Sequence, residues 1–189
     1  MPGFGDIEGR LLVLGIAPAA HGGNRTGRVF TGDSSGRFLV RALHAEGFAN
    51  QSFSESRDDG LIYTDCFLTA AAKCVPPGDR PTTEEFANCS EFLEAEIRLM
   101  RRLQAVLTLG SLSFKAYLDH LKLNGIRTSG LKFRHGGVYH IKESPTIYAS
   151  YHPSPRNTNT GRLTQAMLVR VVKKIRADFG SARSPSKHN

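Results

Sequence analysis

The sequence has no run of about eighteen apolar residues, the length a membrane-spanning helix needs. Its start, "MPGFGDIEGR", has neither the basic opening nor the apolar centre of a secretory signal, so a cytoplasmic protein is expected. Cysteine is scarce: Cys66, Cys74 and Cys89 are an odd number, which argues against a disulfide framework and leaves metal or cluster ligation open. No Gly-Lys-Ser/Thr loop and no G-x-G-x-x-G follows the first apolar run, so the common nucleotide-phosphate loops are missing. No internal repeat and no linker divides the chain, and 189 residues with 40% apolar content suit one well-packed domain.

What is abundant is positive charge. Lys and Arg number 25 against 17 Asp and Glu, a net charge of +8, which suits a polyanionic partner such as DNA or RNA. Part of the excess lies in "KKIRADFGSARSPSKHN", whose Ser, Pro and Lys read as a solvated end. The expected organisation is one domain over residues 1–177 and a basic, disordered tail over 178–189.

"RLLVLGIAP" is a continuous apolar run closed by Gly and Pro, the pattern of a parallel strand buried on both faces. "DSSGRFLVRALHAEGF" opens with an Asp/Ser cap, spaces Phe38, Leu39, Ala42 and Leu43 as a helix does, and stops at Gly47. "LIYTDCFLTAAAKC", "QAVLTLG" and "TIYASYHPS" read as three further strands. "PTTEEFANCSEFLEAEIRLMRRL", "SLSFKAYLDHLKLNG" and "TGRLTQAMLVRVVKKIRADF" read as helices, with "GGVYHIKESP" as a hairpin or edge segment. Strands alternate with helices throughout. The fold class is α/β: a three-layer α/β/α sandwich with a mainly parallel four-stranded central sheet.

Ligands in such folds gather where strands end in loops. Three strand ends carry unusual chemistry: Ala17 to Gly36, Lys73 to Pro81, and Ser150 to Arg162. The first packs His21, Arg25, Arg28, Phe30 and Asp33 into one connection, an aromatic, a carboxylate and cations that together can stack a planar base, position a water and meet phosphates. Asp33 before "SSGRFL" also suits a helix cap, and the two roles are compatible. His152, at a strand end beside proline, suits a structural role or a donor to a leaving group that gathers negative charge.

"GIAPAAHGGNRTGRVFTGDSSG", "TAAAKCVPPGDRP" with Cys89 following Cys74 at a spacing of fifteen, and "SYHPSPRNTNTGRLT" together resemble the type 5 uracil-DNA glycosylases, an iron–sulfur branch of the uracil-DNA glycosylase superfamily. The resemblance runs from Pro2 to about Lys173. It implies a monofunctional glycosylase of base excision repair that hydrolyses the N-glycosidic bond of uracil and other deaminated bases, hypoxanthine among them, in DNA and leaves an abasic site. The base must first leave the duplex stack.

By the same resemblance, Ala17 lets the backbone approach the base, Phe30 stacks on it, Asp33 positions the attacking water, and His152 hydrogen-bonds the pyrimidine O2 as the base departs. Pro155, Arg156 and Asn157 enter the minor groove, while Arg25 and Arg162 meet phosphates. The implied partner is DNA containing deaminated bases, in the nucleoid-associated pool of a bacterium or archaeon. The protein is expected to act as a monomer with no obligatory protein partner and no membrane. No lysine in these loops is placed as a Schiff-base nucleophile; Lys73, the nearest, reads as a surface or phosphate contact.

The chain departs from the family in two places. Asp79 stands where family members carry a base-reading asparagine, and an ionised carboxylate only accepts where an amide also donates to O4. That puts uracil preference in doubt and makes other deaminated bases more plausible substrates. The family's [4Fe-4S] cluster uses an N-terminal cysteine pair together with the positions of Cys74 and Cys89, and that first pair is missing here. Cys66, in mid-strand, reads as a small apolar packing residue. The expectation is that residues upstream of Met1 supply the pair; the alternative is a chain without a cofactor. Two other functions compete with this reading. One is a non-catalytic nucleic-acid-binding relative that lost the cluster arm, against which the retention of Asp33, Phe30 and His152 argues. The other is a nucleotide-binding enzyme using the Gly-rich loop as a phosphate cradle, against which the missing Walker lysine argues.

Overall fold

In the computed structural model, residues 1–79 and 81–181 are described, apart from the side chains of Asp79 and Ser181. Four strands form the centre: β2 (Leu11–Gly15), β3 (Cys66–Ala70), β4 (Ala105–Leu109) and β6 (Thr146–Ser150). They run parallel in the order β3-β2-β4-β6. Each consists almost wholly of buried residues, as expected of strands covered on both faces. Two short antiparallel strands, β1 (Phe4–Gly5) on β3 and β5 (Val138–Tyr139) on β6, widen the sheet to six.

Alternation along the strands divides the core into two layers. Leu11, Val13, Leu68 and Leu107 pack with α1 (Ser34–Ala45) and α5 (Gln165–Ser181). Leu12, Leu14, Val106 and Ile147 face α2 (Thr83–Leu99) and α3 (Ser111–Leu123). Thr82 and Glu85 close a capping box at the start of α2. Cys66 is fully buried, and burial pushes its thiol pKa well up, so it packs as an apolar residue.

Two boundaries differ from expectation. The strand inside "LIYTDCFLTAAAKC" is only Cys66–Ala70, because Asp65 turns back to bind Arg10. The last helix runs through Ser181, since Phe179 is buried against Phe48 and the Arg10 guanidinium stacks on its ring. The basic tail thus starts later than 178; residues 182–189 lie outside the described residues.

The register aligns Gly15, Ala70, Leu109 and Ser150 at one edge of the sheet. Because β3 and β4 flank β2 on opposite sides, the crossover direction reverses there, and a crevice opens at the carboxyl ends of β2 and β4. The connections after β2, β3 and β6 are the three loops singled out in the sequence.

Candidate active site

The first loop closes on glycines. A Cβ added at Gly15, the last residue of β2, would lie 2.6 Å from Phe30 Cζ, so the Phe30 ring rests against bare backbone. Phe30 is half-buried and has a φ of 52°, a left-handed conformation unusual for an aromatic residue. A Cβ at Gly36, in the first turn of α1, would collide with the Phe30 carbonyl, and one at Gly22 would collide with Asp33 Oδ2. Any side chain at these positions displaces Phe30 or Asp33.

Arg28 holds the loop from behind. It is only 3% exposed, and its Nη2 donates to both Asp59 oxygens, at 2.9 and 2.8 Å. Its Nε donates to Thr31 Oγ1 and its Nη1 to the Arg57 carbonyl. Burial works against the Asp59 carboxylate, but the Glu55 N–H and the Arg28 guanidinium outweigh it and hold its pKa below the ordinary range. Arg28 is thus a buried brace and is withdrawn from any phosphate.

Asp33 caps α1: its Oδ1 accepts the Gly36 N–H at 2.8 Å. Oδ2 lies over Gly22, away from that cap. The cap therefore leaves one carboxylate oxygen for other chemistry.

His152 comes from the opposite side of the crevice, two residues after β6. The Asn157 amide donates to its carbonyl at 2.8 Å. The Gly110 N–H donates to the Ser150 carbonyl at 2.7 Å, and a Cβ on Gly110 would lie 3.3 Å from His152 Cβ. Gly110, with a φ of 96°, lets α3 start beside the imidazole. Burial pushes the His152 pKa down, and the negative charge of the Asp33 carboxylate opposes that push without cancelling it. A carboxylate thus lies within electrostatic reach of an imidazole whose charged form is disfavoured and whose neutral form still carries one N–H to donate.

The remaining positions divide clearly. Ala17 is half-buried at the start of the first loop. Arg25 is exposed, yet its Nε donates to the His21 carbonyl at 3.0 Å, which ties its side chain to its own loop. Pro155 and Arg156 are exposed on the short helix α4 (Pro155–Thr158), and the Asn157 nitrogen is occupied by His152. Arg162 is exposed and lies over the Tyr151 ring at 4.6 Å. Lys73 is not a surface contact: it is 8% exposed, and its Nζ meets Glu96 Oε2 at 2.6 Å and Thr69 Oγ1 at 2.7 Å. An isolated lysine in sequence shows nothing of a partner twenty-three residues later.

Comparison with known proteins decides the family. The family model described as the uracil DNA glycosylase superfamily matches residues 2–176. The chain is 47% identical over 180 residues to the type-5 uracil-DNA glycosylase of Pyrobaculum aerophilum, covering 95% of this chain and 76% of that protein. It is 44% identical over 172 residues to the type-5 enzyme of Thermus thermophilus, covering 91% and 77%. The type-4 uracil-DNA glycosylase of Thermotoga maritima is more distant, at 27% over 176 residues, covering 93% of this chain and 80% of that protein. The chain belongs to the type-5 uracil-DNA glycosylase family.

The second loop of this type-5 chain turns through Pro77–Asp79, with Gly78 at a φ of 68°. The Asp79 side chain lies outside the described residues. Cys74 is exposed and Cys89 half-buried, and Cys89 Sγ accepts the Lys73 N–H at 3.3 Å. Among the described residues, no group of three or more His, Cys, Asp or Glu side chains could hold a metal. Two thiols do not complete a four-cysteine cluster, so the residues present do not by themselves fit one. No helix among the described residues is long and apolar enough to cross a membrane.

Proposed function

We propose that this chain excises uracil from DNA by hydrolysing the N-glycosidic bond, with Asp33 and His152 acting from opposite walls of one pocket. The observation that carries the reading is that pairing: a carboxylate with one oxygen free of its cap, and within its electrostatic reach a half-buried imidazole whose charged form is disfavoured. As the bond to the base breaks, the sugar gains positive charge and the base negative charge. Asp33 Oδ2 orients water toward the anomeric carbon and favours the cationic sugar, while the His152 N–H stabilises the charge on O2 of the leaving base. Phe30, laid against Gly15, stacks on the extruded base, and Ala17 leaves room for it at the pocket mouth.

Arg25, Arg156 and Arg162, exposed around the crevice, meet phosphates, and Pro155 enters the minor groove while Asn157 holds the His152 loop from within. Asp79 weakens uracil preference, because an ionised carboxylate cannot donate to uracil O4, and other deaminated bases, hypoxanthine among them, are further candidate substrates. Cys74 and Cys89 would supply two of the four ligands that a structural [4Fe-4S] site needs. No step of bond cleavage runs through the cluster.

The test is strand cleavage after alkali, on end-labelled duplexes containing uracil, hypoxanthine or only normal bases. Cleavage at uracil and not at normal bases is expected, with hypoxanthine also cut. Binding to all three duplexes with no cleavage would leave a non-catalytic relative.

A further inference from the structure

Beyond the groups that face the base, one histidine outside the pocket acts on it. Residues 136 and 137 continue the β5 pairing past the strand itself: the Gly136 N–H donates to the Ala149 carbonyl at 2.8 Å and the Ala149 N–H to the Gly137 carbonyl at 2.9 Å. This places His135 against the end of β6, where the chain leaves for His152. His135 Nδ1 accepts the Tyr151 N–H at 3.2 Å. Its ring stacks on Tyr151, with centroids 4.9 Å apart and planes 12° apart, and the Arg162 guanidinium lies over the same tyrosine ring at 4.6 Å.

We propose that His135 is a positioning residue for His152: by accepting the Tyr151 N–H and stacking on the Tyr151 ring, it fixes the peptide that delivers the catalytic imidazole. The two sides of His152 are then held separately, before it by His135 through Tyr151 and after it by the Asn157 amide on its own carbonyl. Accepting a backbone N–H through Nδ1 puts the ring proton on Nε2. Burial, helped by the Arg170 guanidinium, keeps the His135 pKa below the ordinary histidine value, which preserves Nδ1 as an acceptor at neutral pH. Displacements well under 1 Å at a catalytic group are enough to be read as a rate.

The inference rests on His152 as the group that meets the departing base, so the experiment measures both. Single-turnover uracil excision and DNA affinity are measured for wild type, His152→Ala, His135→Ala, His135→Asn, His135→Gln and the double variant His135→Ala/His152→Ala. A wild-type enzyme that excises uracil, and a His152→Ala variant slowed about 10²-fold, establish the underlying reading. Loss of either result removes that reading and is distinguishable from the outcomes below.

His135→Ala is expected to slow excision about ten-fold with DNA affinity changed less than about three-fold, and to cost almost nothing more once His152 is alanine. Asparagine offers an acceptor near the position of Nδ1 and should recover most of the rate, whereas glutamine offers one farther out and should not. Where the alanine variant does not fold, the asparagine and glutamine rates decide. Equal losses in the two His152 backgrounds, a loss seen only in affinity, or equal asparagine and glutamine rates would overturn the proposal.

Discussion

The first and second loops leave adjacent parallel strands at the same edge of the sheet, yet they are built on opposite plans. In the first, Gly15, Gly22 and Gly36 admit close packing, Arg28 is a buried ion pair behind the loop, and Asp33 anchors α1. In the second, the fixed points are at the ends: Lys73 in its buried pair with Glu96, and Thr82 in its capping box. Between them Cys74, Pro77 and Gly78 are exposed, and a Cβ added at Gly78 would meet nothing within 4 Å. Asp33 and Phe30, for which chemistry is proposed, stand on the braced loop. Asp79, proposed to bear on base choice, stands on the open one, where a substitution disturbs the core least.

Breaking the brace should have the largest effect on stability. Arg28→Ala leaves the Asp59 carboxylate buried without its cation, and a loss of about 3–5 kcal/mol is expected, read from chemical denaturation. A loss below about 1 kcal/mol would mean that the first loop is no more fixed than the second. His152→Ala should slow uracil excision about 10²-fold at unchanged fold, checked by single-turnover rates. A neutral result would return His152 to a structural role.

Acid should strain the His152 side, opposite the first loop. His135 and His152 both titrate below their ordinary value of 6.5 in the folded protein. Below that value the unfolded chain therefore binds more protons than the folded one. Their contribution is complete above the unfolded pKa and is lost as pH falls through the lowered folded values. The melting temperature should be flat from pH 8 to pH 7 and several degrees lower at pH 5.5; a flat profile throughout would contradict the partial burial of the two imidazoles. The smallest effect belongs to the open loop. Asp79→Asn should shift stability by less than about 0.5 kcal/mol while raising the single-turnover rate of uracil excision. An unchanged rate would remove position 79 from base reading.

The four central strands were legible because burial on both faces writes them as unbroken apolar runs, and α1 and α2 were legible from their caps. The two-residue strands β1 and β5 were not, since pairing that short leaves no period in the sequence. The three site loops could be found from where strands ended and from the resemblance. Their internal bracing could not. Arg28 looked like any other loop cation until Asp59 folded back onto it, and Lys73 until Glu96 did. Gly110 and His135 escaped notice because each matters only through what packs beside it: His152 in one case, the Tyr151 N–H in the other. Contacts made across the sheet edge carry no local signal.

Asp33 carries both a cap and the proposed chemistry, and Asp33→Asn separates them most directly. Asparagine keeps an oxygen for the Gly36 N–H and is as good a cap as aspartate, so melting temperature and DNA affinity should hold. It removes the carboxylate over Gly22, and single-turnover uracil excision should fall by about 10²- to 10⁴-fold. An asparagine variant that excises uracil at the wild-type rate would reduce Asp33 to a helix cap and contradict the two-walled site.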